Sequence, residues 1–221
     1  MSPSLYPILV LFVTVAFLIR AEILGKQRQI YVLKPISTLL VIAVAFLSFL
    51  EPVQNLTYTV GVIIGLLLSF GGDIALMFQE NRKAFTIGLG LFLLGHVAYT
   101  VVFTLLGAFS TWDLVSSGIL VVAGVSFYLL IRSNLRTMQV PVIAYIVVIS
   151  VMVNRAGSTL ASPVFGVGQA LMILIGAVLF YISDVILAAN RFWKSWEYNR
   201  ISLGFYYGGQ LLIALAASYF A

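Results

Sequence analysis

The stretch TYTVGVIIGLLLSFGGDIALMF, Thr57–Phe78, decides the fold class of this chain. It holds 22 residues with a single charged side chain, Asp73, and about 20 mostly apolar residues are enough for a helix to cross a bilayer. The whole chain of 221 residues has the same character, with 62% hydrophobic and 9% charged residues. Soluble domains carry about a quarter charged residues, so a water-soluble fold could not cover its surface. The composition therefore predicts an integral membrane protein.

Seven further apolar runs resemble this one, and the connections between them are short. We predict an all-α, polytopic membrane protein with eight transmembrane helices in a single domain, residues 1–221. No basic segment precedes the first run, so we expect it to be retained as a span. The predicted spans are Leu5–Ile19, Leu33–Leu50, Thr57–Phe78, Phe85–Leu106, Leu114–Ile131, Val140–Val153, Val164–Ala189 and Ile201–Phe220.

The two halves of the chain resemble one another. An offset of 111 residues (184 − 73) places GLLLSFGGDIAL over GAVLFYISDVIL and aligns Asp73 with Asp184. One span later, GLFLLGH (Gly90–His96) resembles GFYYGGQ (Gly204–Gln210) at an offset of 114. We therefore expect two four-helix repeats, residues 1–110 and 111–221, which are parallel because four is an even number of spans. The alternative is chance, since apolar helices resemble one another readily.

Basic residues are concentrated on one side of the predicted bundle. Eleven of the twelve lie in or beside the first, third, fifth and seventh loops, and Arg155 alone is on the opposite side. Since Lys and Arg near span ends favour the cytoplasm, we expect both termini on the non-cytoplasmic side of a bacterial inner membrane, or of the ER membrane in a eukaryote. This topology also explains the net charge of +5. It argues against a nucleic-acid partner, which needs a basic stripe on a soluble face.

Asp73 and Asp184 each lie about five residues before the cytoplasmic end of a predicted span, roughly 8 Å below the boundary. An isolated carboxylate in hydrocarbon is costly, so each must find a partner, water or a proton. Both spans run in the same direction, so the two carboxyl groups share a depth and, if the spans are neighbours, one cavity. Burial and a like charge nearby favour the neutral acid, and one neutral and one ionised carboxyl group form an acid–base pair. The alternative is that each Asp only ties helices together.

Other polar side chains inside the predicted membrane are candidates for the same site. His96, near the middle of the fourth span, would orient a carboxyl group or a water, or else simply bridge two helices. Lys34 would bind a lipid phosphate, or else serve only as a positive-inside charge. The remaining candidates for contact with a substrate offer hydroxyl or amide groups, although packing and interfacial roles are the alternative: Tyr99, Tyr181, Tyr206, Tyr207 and Gln210.

Residue counts and motifs exclude several common kinds of active site. The chain has no cysteine and one histidine, so we expect neither a disulfide nor a zinc centre with the usual nitrogen and sulfur ligands. It has no P-loop, HExxH or GxSxG motif and no histidine cluster for a metal-dependent lipid amidase. We therefore predict no metal and no cofactor, with a loosely held divalent ion as the alternative.

Six short motifs carry a resemblance to a known family. They occur in the order LKPIST, GGDIALM, GLFLLGHVAY, AYIVVISVM, FYISDVILAANRF and YYGGQLLI. Together they resemble, over the whole chain, the signatures of the YhhN family of lysoplasmalogenase-like membrane proteins. YYGGQ departs from that pattern through an extra glycine where a bulkier residue is expected. The resemblance implies eight spans and hydrolysis of the vinyl ether bond of a lysophospholipid, the lysoplasmalogen, to a fatty aldehyde and a glycerophospho-headgroup.

This resemblance also implies roles for the polar residues. Asp73 and Asp184 would be the acid and the base, in an order that stays open, and His96 would orient one carboxyl group or the water. The headgroup would lie near Lys34 and the tyrosines. Two other function classes compete with this hypothesis. One is a transporter or flippase for a small lipid or amphiphile, which repeats around intramembrane acids also suit, and the other is a binding or scaffold protein with structural aspartates.

Overall fold

The computed structural model describes residues 3–196 and 199–220, and within these ranges the chain forms eight α-helices and no β-strand. Seven of the helices, α1 to α7, are long and apolar enough to cross a membrane. This confirms the predicted all-α, polytopic membrane fold. The helices are α1 (Tyr6–Ile23), α2 (Gln27–Leu47), α3 (Leu56–Leu76), α4 (Arg82–Leu106), α5 (Thr111–Ile131), α6 (Gln139–Ser158), α7 (Val167–Phe192) and α8 (Ser202–Leu215).

The eighth helix is shorter than the predicted span Ile201–Phe220. Its 14 α-helical residues rise about 21 Å, which is less than the hydrocarbon thickness of about 30 Å. Short 3₁₀ turns at Asn199–Ile201 and Ala216–Ser218 extend it at both ends. With about 2 Å of rise per residue in those turns, the whole segment reaches about 33 Å. The segment predicted as the eighth span is therefore three consecutive helical segments rather than one α-helix.

Other helix ends differ from the predicted spans because hydropathy marks the lipid-embedded part of a helix and not its ends. α6 continues five residues beyond its predicted end, and α2 begins six residues early, so that Pro35 lies inside it. The starts of α3 and α4 lie within three residues of the prediction. Asn55 and Asn81 fix these starts, because their side chains accept hydrogen bonds from backbone N–H groups of the first turn.

The helices pack as two similar groups of four. In each half the first helix packs on the second, the second on the third and the third on the fourth. The halves meet where α8 packs on α2 and where α4 packs on α6, which are again corresponding pairs. A duplicated four-helix unit would make these contacts, and the duplication itself stays a prediction.

Glycines allow the most extensively packed helix pairs, α3–α4 and α7–α8, to approach closely. A Cβ atom at Gly176 would lie 2.8 Å from the carbonyl oxygen of Gly209, and one at Gly209 would lie 2.6 Å from that of Gly176. In the first half, a Cβ atom at Gly95 would lie 3.2 Å from the carbonyl oxygen of Gly65. The predicted offsets of 111 and 114 relate these two glycine pairs to each other. The helix that carries Asp73 and the helix that carries Asp184 are therefore each packed closely against the next helix through a pair of glycines.

Candidate active site

Asp73 on α3 and Asp184 on α7 line the same cavity, which we call the acid cavity. Its volume is about 50 Å³, enough for a few water molecules. In the described part of the chain, α3 and α7 do not pack extensively on each other, and side chains from α2, α4, α6 and α8 complete the wall. The polar groups that line the cavity beside the two carboxyl groups are Lys34, Tyr145, Ser183, Ser202 and Tyr206.

Asp73 is 2% exposed and has both a cation and hydrogen-bond donors as partners. The Lys34 ammonium nitrogen lies 3.4 Å from Oδ1. Thr38 donates a hydrogen bond of 2.7 Å to Oδ2, and Tyr206 donates one of 2.8 Å to the same oxygen. A buried ionised carboxylate is tolerated when it is paired and hydrogen-bonded in this way. The surroundings of Asp73 are therefore those of an ionised carboxylate.

The partners of Asp73 are themselves held by a second layer of contacts. Lys34 and Thr38 lie four residues apart on α2 and so project from one face of that helix. The Tyr207 hydroxyl group lies 3.3 Å from Oγ1 of Thr38 and donates a hydrogen bond of 3.2 Å to the backbone oxygen of Lys34. Tyr207 thus holds the Thr38 side chain and the backbone of α2 at Lys34, beside Asp73.

Asp184 has different partners. Tyr145 on α6 donates a hydrogen bond of 2.5 Å to Oδ2, and Nε2 of His96 on α4 lies 3.5 Å from the same oxygen. In the part of the chain that the structure describes, no Lys or Arg nitrogen lies within 4.0 Å of this carboxyl group. The side chain is 15% exposed, more than that of Asp73. A carboxyl group without a fixed cation is suited to carry a proton.

His96 is buried between two aromatic rings that orient the imidazole. The ring centroids of Tyr145 and Phe180 lie 5.2 Å and 4.6 Å from that of His96. Among the described residues, neither imidazole nitrogen has a hydrogen-bond partner at normal distance. Leaving a buried polar group unpaired is costly, so Nε2 is placed to bond the nearby Asp184 or a water beside it. The depth predicted for His96 in the membrane did not establish a contact with Asp184, and the structure brings the two side chains together.

Tyr207, also predicted to contact a substrate, does not line the acid cavity but lies behind Lys34 and Thr38. The other predicted contact residues fall into three groups. Lys34 and Tyr206 line the acid cavity, whereas Tyr181 lines a neighbouring apolar cavity. Tyr99 and Gln210 do not line the acid cavity, and this differs from the expectation for them. They are buried in the core, where the Tyr99 hydroxyl group donates a hydrogen bond of 2.6 Å to the side-chain oxygen of Gln210. This bond pairs the Tyr99 hydroxyl group with the Gln210 side-chain oxygen across α4 and α8, in the core and not at the cavity, while the Gln210 amide nitrogen has no hydrogen-bond partner among the described residues.

Sequence reasoning missed two partners of the carboxyl groups, Tyr145 and Thr38. Both had a signal in the sequence. The offset of 111 residues that aligns the two aspartates also aligns Lys34, in the first half, with Tyr145, in the second half. Thr38 follows Lys34 by one helical turn, and residues at that spacing share a face.

Two further cavities adjoin the acid cavity and have opposite character. The first, which we call the polar vestibule, has a volume of about 470 Å³ and shares Lys34 and Ser202 with the acid cavity. The second, which we call the apolar recess because most of its lining side chains are apolar, has a volume of about 50 Å³, shares Tyr145 and Asp184 with the acid cavity and also has Arg191 in its wall. The acid cavity therefore lies between a polar space and an apolar one. The vestibule is further lined by Glu22, Gln27, Tyr31, Gln79, Glu80, Asn81 and Arg200.

Another buried carboxylate, Asp113, belongs to a separate cluster at the N-terminal end of α5. It is 3% exposed, and the Arg155 guanidinium group lies 2.9 Å from its Oδ1. Ser158 also donates a hydrogen bond to it, and Asp113 forms the capping box of α5 with Ser110. Its bonding capacity is thus used to join α5 to α6. Within residues 3–196 and 199–220, no group of three or more His, Asp or Glu side chains could hold a metal ion.

Comparison with known proteins identifies the family. The model of the YhhN family matches residues 29–217. The chain belongs to the YhhN family. It is 28% identical over 192 residues to the curated proteins named "Uncharacterized membrane protein YhhN" from Escherichia coli O6:H1 (strain CFT073), Escherichia coli O157:H7 and Shigella flexneri, covering 86% of this chain and 87% of each relative. No solved structure matches the chain significantly. The matched range includes both aspartates and the polar side chains that lie beside their carboxyl oxygens in the described structure: Lys34, Thr38, His96, Tyr145 and Tyr206.

Proposed function

We propose that this YhhN-family protein is a membrane-embedded lysoplasmalogenase, which hydrolyses the vinyl ether bond of a lysoplasmalogen. The products are a fatty aldehyde and a glycerophospho-headgroup. One observation carries the proposal: two intramembrane carboxyl groups with different partners line one cavity that lies between a polar and an apolar space. This arrangement suits an amphiphile whose labile bond joins its headgroup to its tail: the headgroup would lie in the polar vestibule, the bond in the acid cavity and the tail in the apolar recess.

The partners of the two carboxyl groups support an assignment of their roles. Asp73 has the Lys34 cation and two hydroxyl donors, so it acts as the ionised carboxylate. Asp184 has the neutral hydroxyl group of Tyr145 and the imidazole of His96, so it carries the proton and acts as the acid. Two carboxyl groups in unlike surroundings are the usual basis for dividing acid and base roles.

The reaction begins with protonation of carbon. Asp184 donates its proton to the vinyl carbon that is not bonded to oxygen, and the resulting oxocarbenium ion is stabilised by the negative charge of Asp73. A water then adds to the carbon bonded to oxygen, and Asp73 accepts the proton that the water loses. The product of this step is a hemiacetal, and paired carboxyl groups act on oxocarbenium-like species in glycosidases in a comparable way.

Breakdown of the hemiacetal restores both carboxyl groups. The hemiacetal hydroxyl group loses its proton to Asp184 as the bond from carbon to the glycerol oxygen breaks. Asp73 returns its proton to the leaving glycerol oxygen. One water has been consumed, the aldehyde and the glycerophospho-headgroup have formed, and Asp184 is again protonated.

The test is an assay of the purified protein in detergent with a 1-alkenyl lysophospholipid, in which mass spectrometry detects the released aldehyde. We expect Asp73→Asn and Asp184→Asn each to lower aldehyde release by at least about 100-fold, the usual contribution of general acid–base catalysis. Asp113→Asn is the matched control, because Asp113 is also a buried carboxylate with charged and hydroxyl partners but lies outside the acid cavity. It should keep normal release per folded molecule.

Two results would contradict the proposal. Near-normal aldehyde release by both the Asp73→Asn and Asp184→Asn proteins would show that neither carboxyl group is catalytic. A wild-type protein that releases no aldehyde, yet moves the lysolipid across sealed vesicles, would support the competing transporter or flippase. The detergent assay separates these cases, because hydrolysis needs no sealed compartment and transport does.

A further inference from the structure

A lipid-facing groove between α5 and α6 extends from the apolar recess, away from the acid cavity. Its volume is about 380 Å³, within the range of about 300–1,000 Å³ that is usual for ligand sites. Apolar side chains line most of it, among them Val121, Val125 and Val147. Along α5 the lining runs from Ser117 to Tyr128, which corresponds to about 17 Å of helix. The groove thus has the shape and surface of a site for an extended hydrocarbon chain.

Shared side chains connect the groove with the carboxyl groups. Ile146 on α6 lines both the groove and the apolar recess. Tyr145 and Asp184 line both the apolar recess and the acid cavity. The order of spaces is therefore polar vestibule, acid cavity, apolar recess and lipid-facing groove.

The groove is open because the two halves of the bundle differ at this place. In the first half, α1 packs on α2 and also contacts α8. In the second half, α5 packs mainly on α6, and it is the least buried of the seven candidate spans, with 11% of its span buried against 28% for α1. In the first half α1 packs against both α2 and α8, whereas in the second half α5 leaves an open groove beside α6 that is lined mostly with apolar side chains such as valine and isoleucine.

The small size of the acid cavity decides what each adjoining space would hold. At about 50 Å³ it accommodates the reacting bond and a water, and neither a headgroup nor a long chain. The charged lining of the vestibule suits the phosphate-bearing headgroup, so the chain must leave the acid cavity on its apolar side.

We propose that the apolar recess and the α5–α6 groove form the binding site for the long alkyl chain of the substrate. The same site delivers the long-chain aldehyde directly to the lipid, while the headgroup leaves through the vestibule. This inference rests on the proposed function, because it takes the substrate to be a single-chain ether lipid.

Bulky substitutions in the groove test this site through the length of the chain. Val121→Trp and Val147→Trp place the largest side chain in the groove, and Val122→Trp and Val140→Trp are matched controls at exposed positions outside it. With long-chain alkenyl substrates, we expect the groove variants to raise KM by about tenfold, the effect of losing about two buried CH₂ groups. With short-chain substrates all four variants should match the wild type. Identical chain-length profiles for Val121→Trp and Val122→Trp would overturn the inference.

A second measurement does not depend on turnover. A non-hydrolysable alkyl ether lysolipid with a diazirine near the end of its chain is photocrosslinked to the wild-type protein, and the modified residues are mapped by mass spectrometry. Crosslinks should concentrate on the groove faces of α5 and α6. Crosslinks spread equally over the exposed faces of α1 and α5 would overturn the inference even if hydrolysis is normal. Crosslinks in the groove, together with no hydrolysis of the 1-alkenyl lysophospholipid, would instead overturn the proposed function while still supporting the groove as a binding site for the alkyl chain.

Discussion

The hydroxyl group of Tyr145 lies 2.5 Å from Oδ2 of Asp184 and donates a hydrogen bond to it. Tyr145 occupies the position that the 111-residue offset relates to Lys34, the cation beside Asp73. At corresponding positions, one carboxyl group therefore has a neutral partner and the other a charged one. This difference is the physical basis for assigning the two carboxyl groups different roles.

Tyr145→Phe tests the contribution of this hydrogen bond. The variant keeps the ring but removes the donor, and we expect kcat for aldehyde release to fall about fivefold because such a bond is worth about 1 kcal/mol. Tyr58→Phe is the matched control, since the buried Tyr58 hydroxyl group also donates a hydrogen bond, of 2.8 Å to the backbone oxygen of Ile213, and Tyr58 lies outside the acid cavity, the vestibule, the recess and the groove. Steady-state kinetics on both proteins gives the comparison. Equal rates for the two variants would mean that the Tyr145 hydroxyl group has no part in the chemistry.

Lys34→Met tests the ion pair of Asp73. The variant leaves a buried carboxylate without its cation, which costs about 3–5 kcal/mol, so we expect a large drop in thermal stability in detergent. Adding Asp73→Asn removes the unpaired charge and should restore most of the loss. Lys83→Met, at an exposed position, should change the unfolding free energy by less than about 0.5 kcal/mol. A double variant no more stable than Lys34→Met would show that the two residues are not energetically coupled.

Gly209→Ala tests the close contact of α7 and α8. Its Cβ atom would lie 2.6 Å from the carbonyl oxygen of Gly176, a backbone atom that cannot rotate away. We expect a loss of about 1–3 kcal/mol, the usual cost of overpacking. Gly204→Ala, on the same helix, meets nothing within 4 Å and should be neutral or slightly stabilising because alanine favours the helix. Similar melting temperatures for the two variants would contradict a tight contact at Gly209.

Cysteine labelling tests the predicted orientation in the membrane. The chain has no cysteine of its own, so a single introduced thiol reports on one loop. We expect an impermeant maleimide added to intact bacteria to label Val53→Cys, between α2 and α3, and not Lys83→Cys, beside the start of α4. After the cells are opened, both variants should react. The reverse pattern in intact cells would show that the charge distribution gave the wrong orientation.

The sequence predicted the number of helices because hydrocarbon leaves little choice of structure. Backbone groups must be satisfied within each span, so long apolar runs become helices. The same constraint does not set helix ends in the polar region, and α2 accordingly begins at Gln27 and passes through Pro35. The eighth span likewise divides into an α-helix and two 3₁₀ turns, which hydropathy does not distinguish.

The candidate site was predicted in part. An intramembrane carboxyl group stands out by its cost, so Asp73 and Asp184 were found directly, and the structure places both on one cavity. Which polar groups satisfy one another depends on helix rotation and packing, which composition does not encode. For this reason the sequence alone could not distinguish Tyr206, which bonds Asp73, from Tyr99, which bonds Gln210 in the core.

The two carboxyl groups belong to helices that do not pack extensively on each other in the described structure. The distance between the two carboxyl groups is therefore set by the contacts between the two halves, where α8 packs on α2 and α4 packs on α6. A thinner bilayer, or one with higher lateral pressure, acts first on these contacts between the halves. It would change the distance between the two carboxyl groups without disturbing the glycine contacts of α3 with α4 and of α7 with α8. The rate of the proposed hydrolysis, measured in nanodiscs of graded lipid chain length, would then depend on membrane thickness.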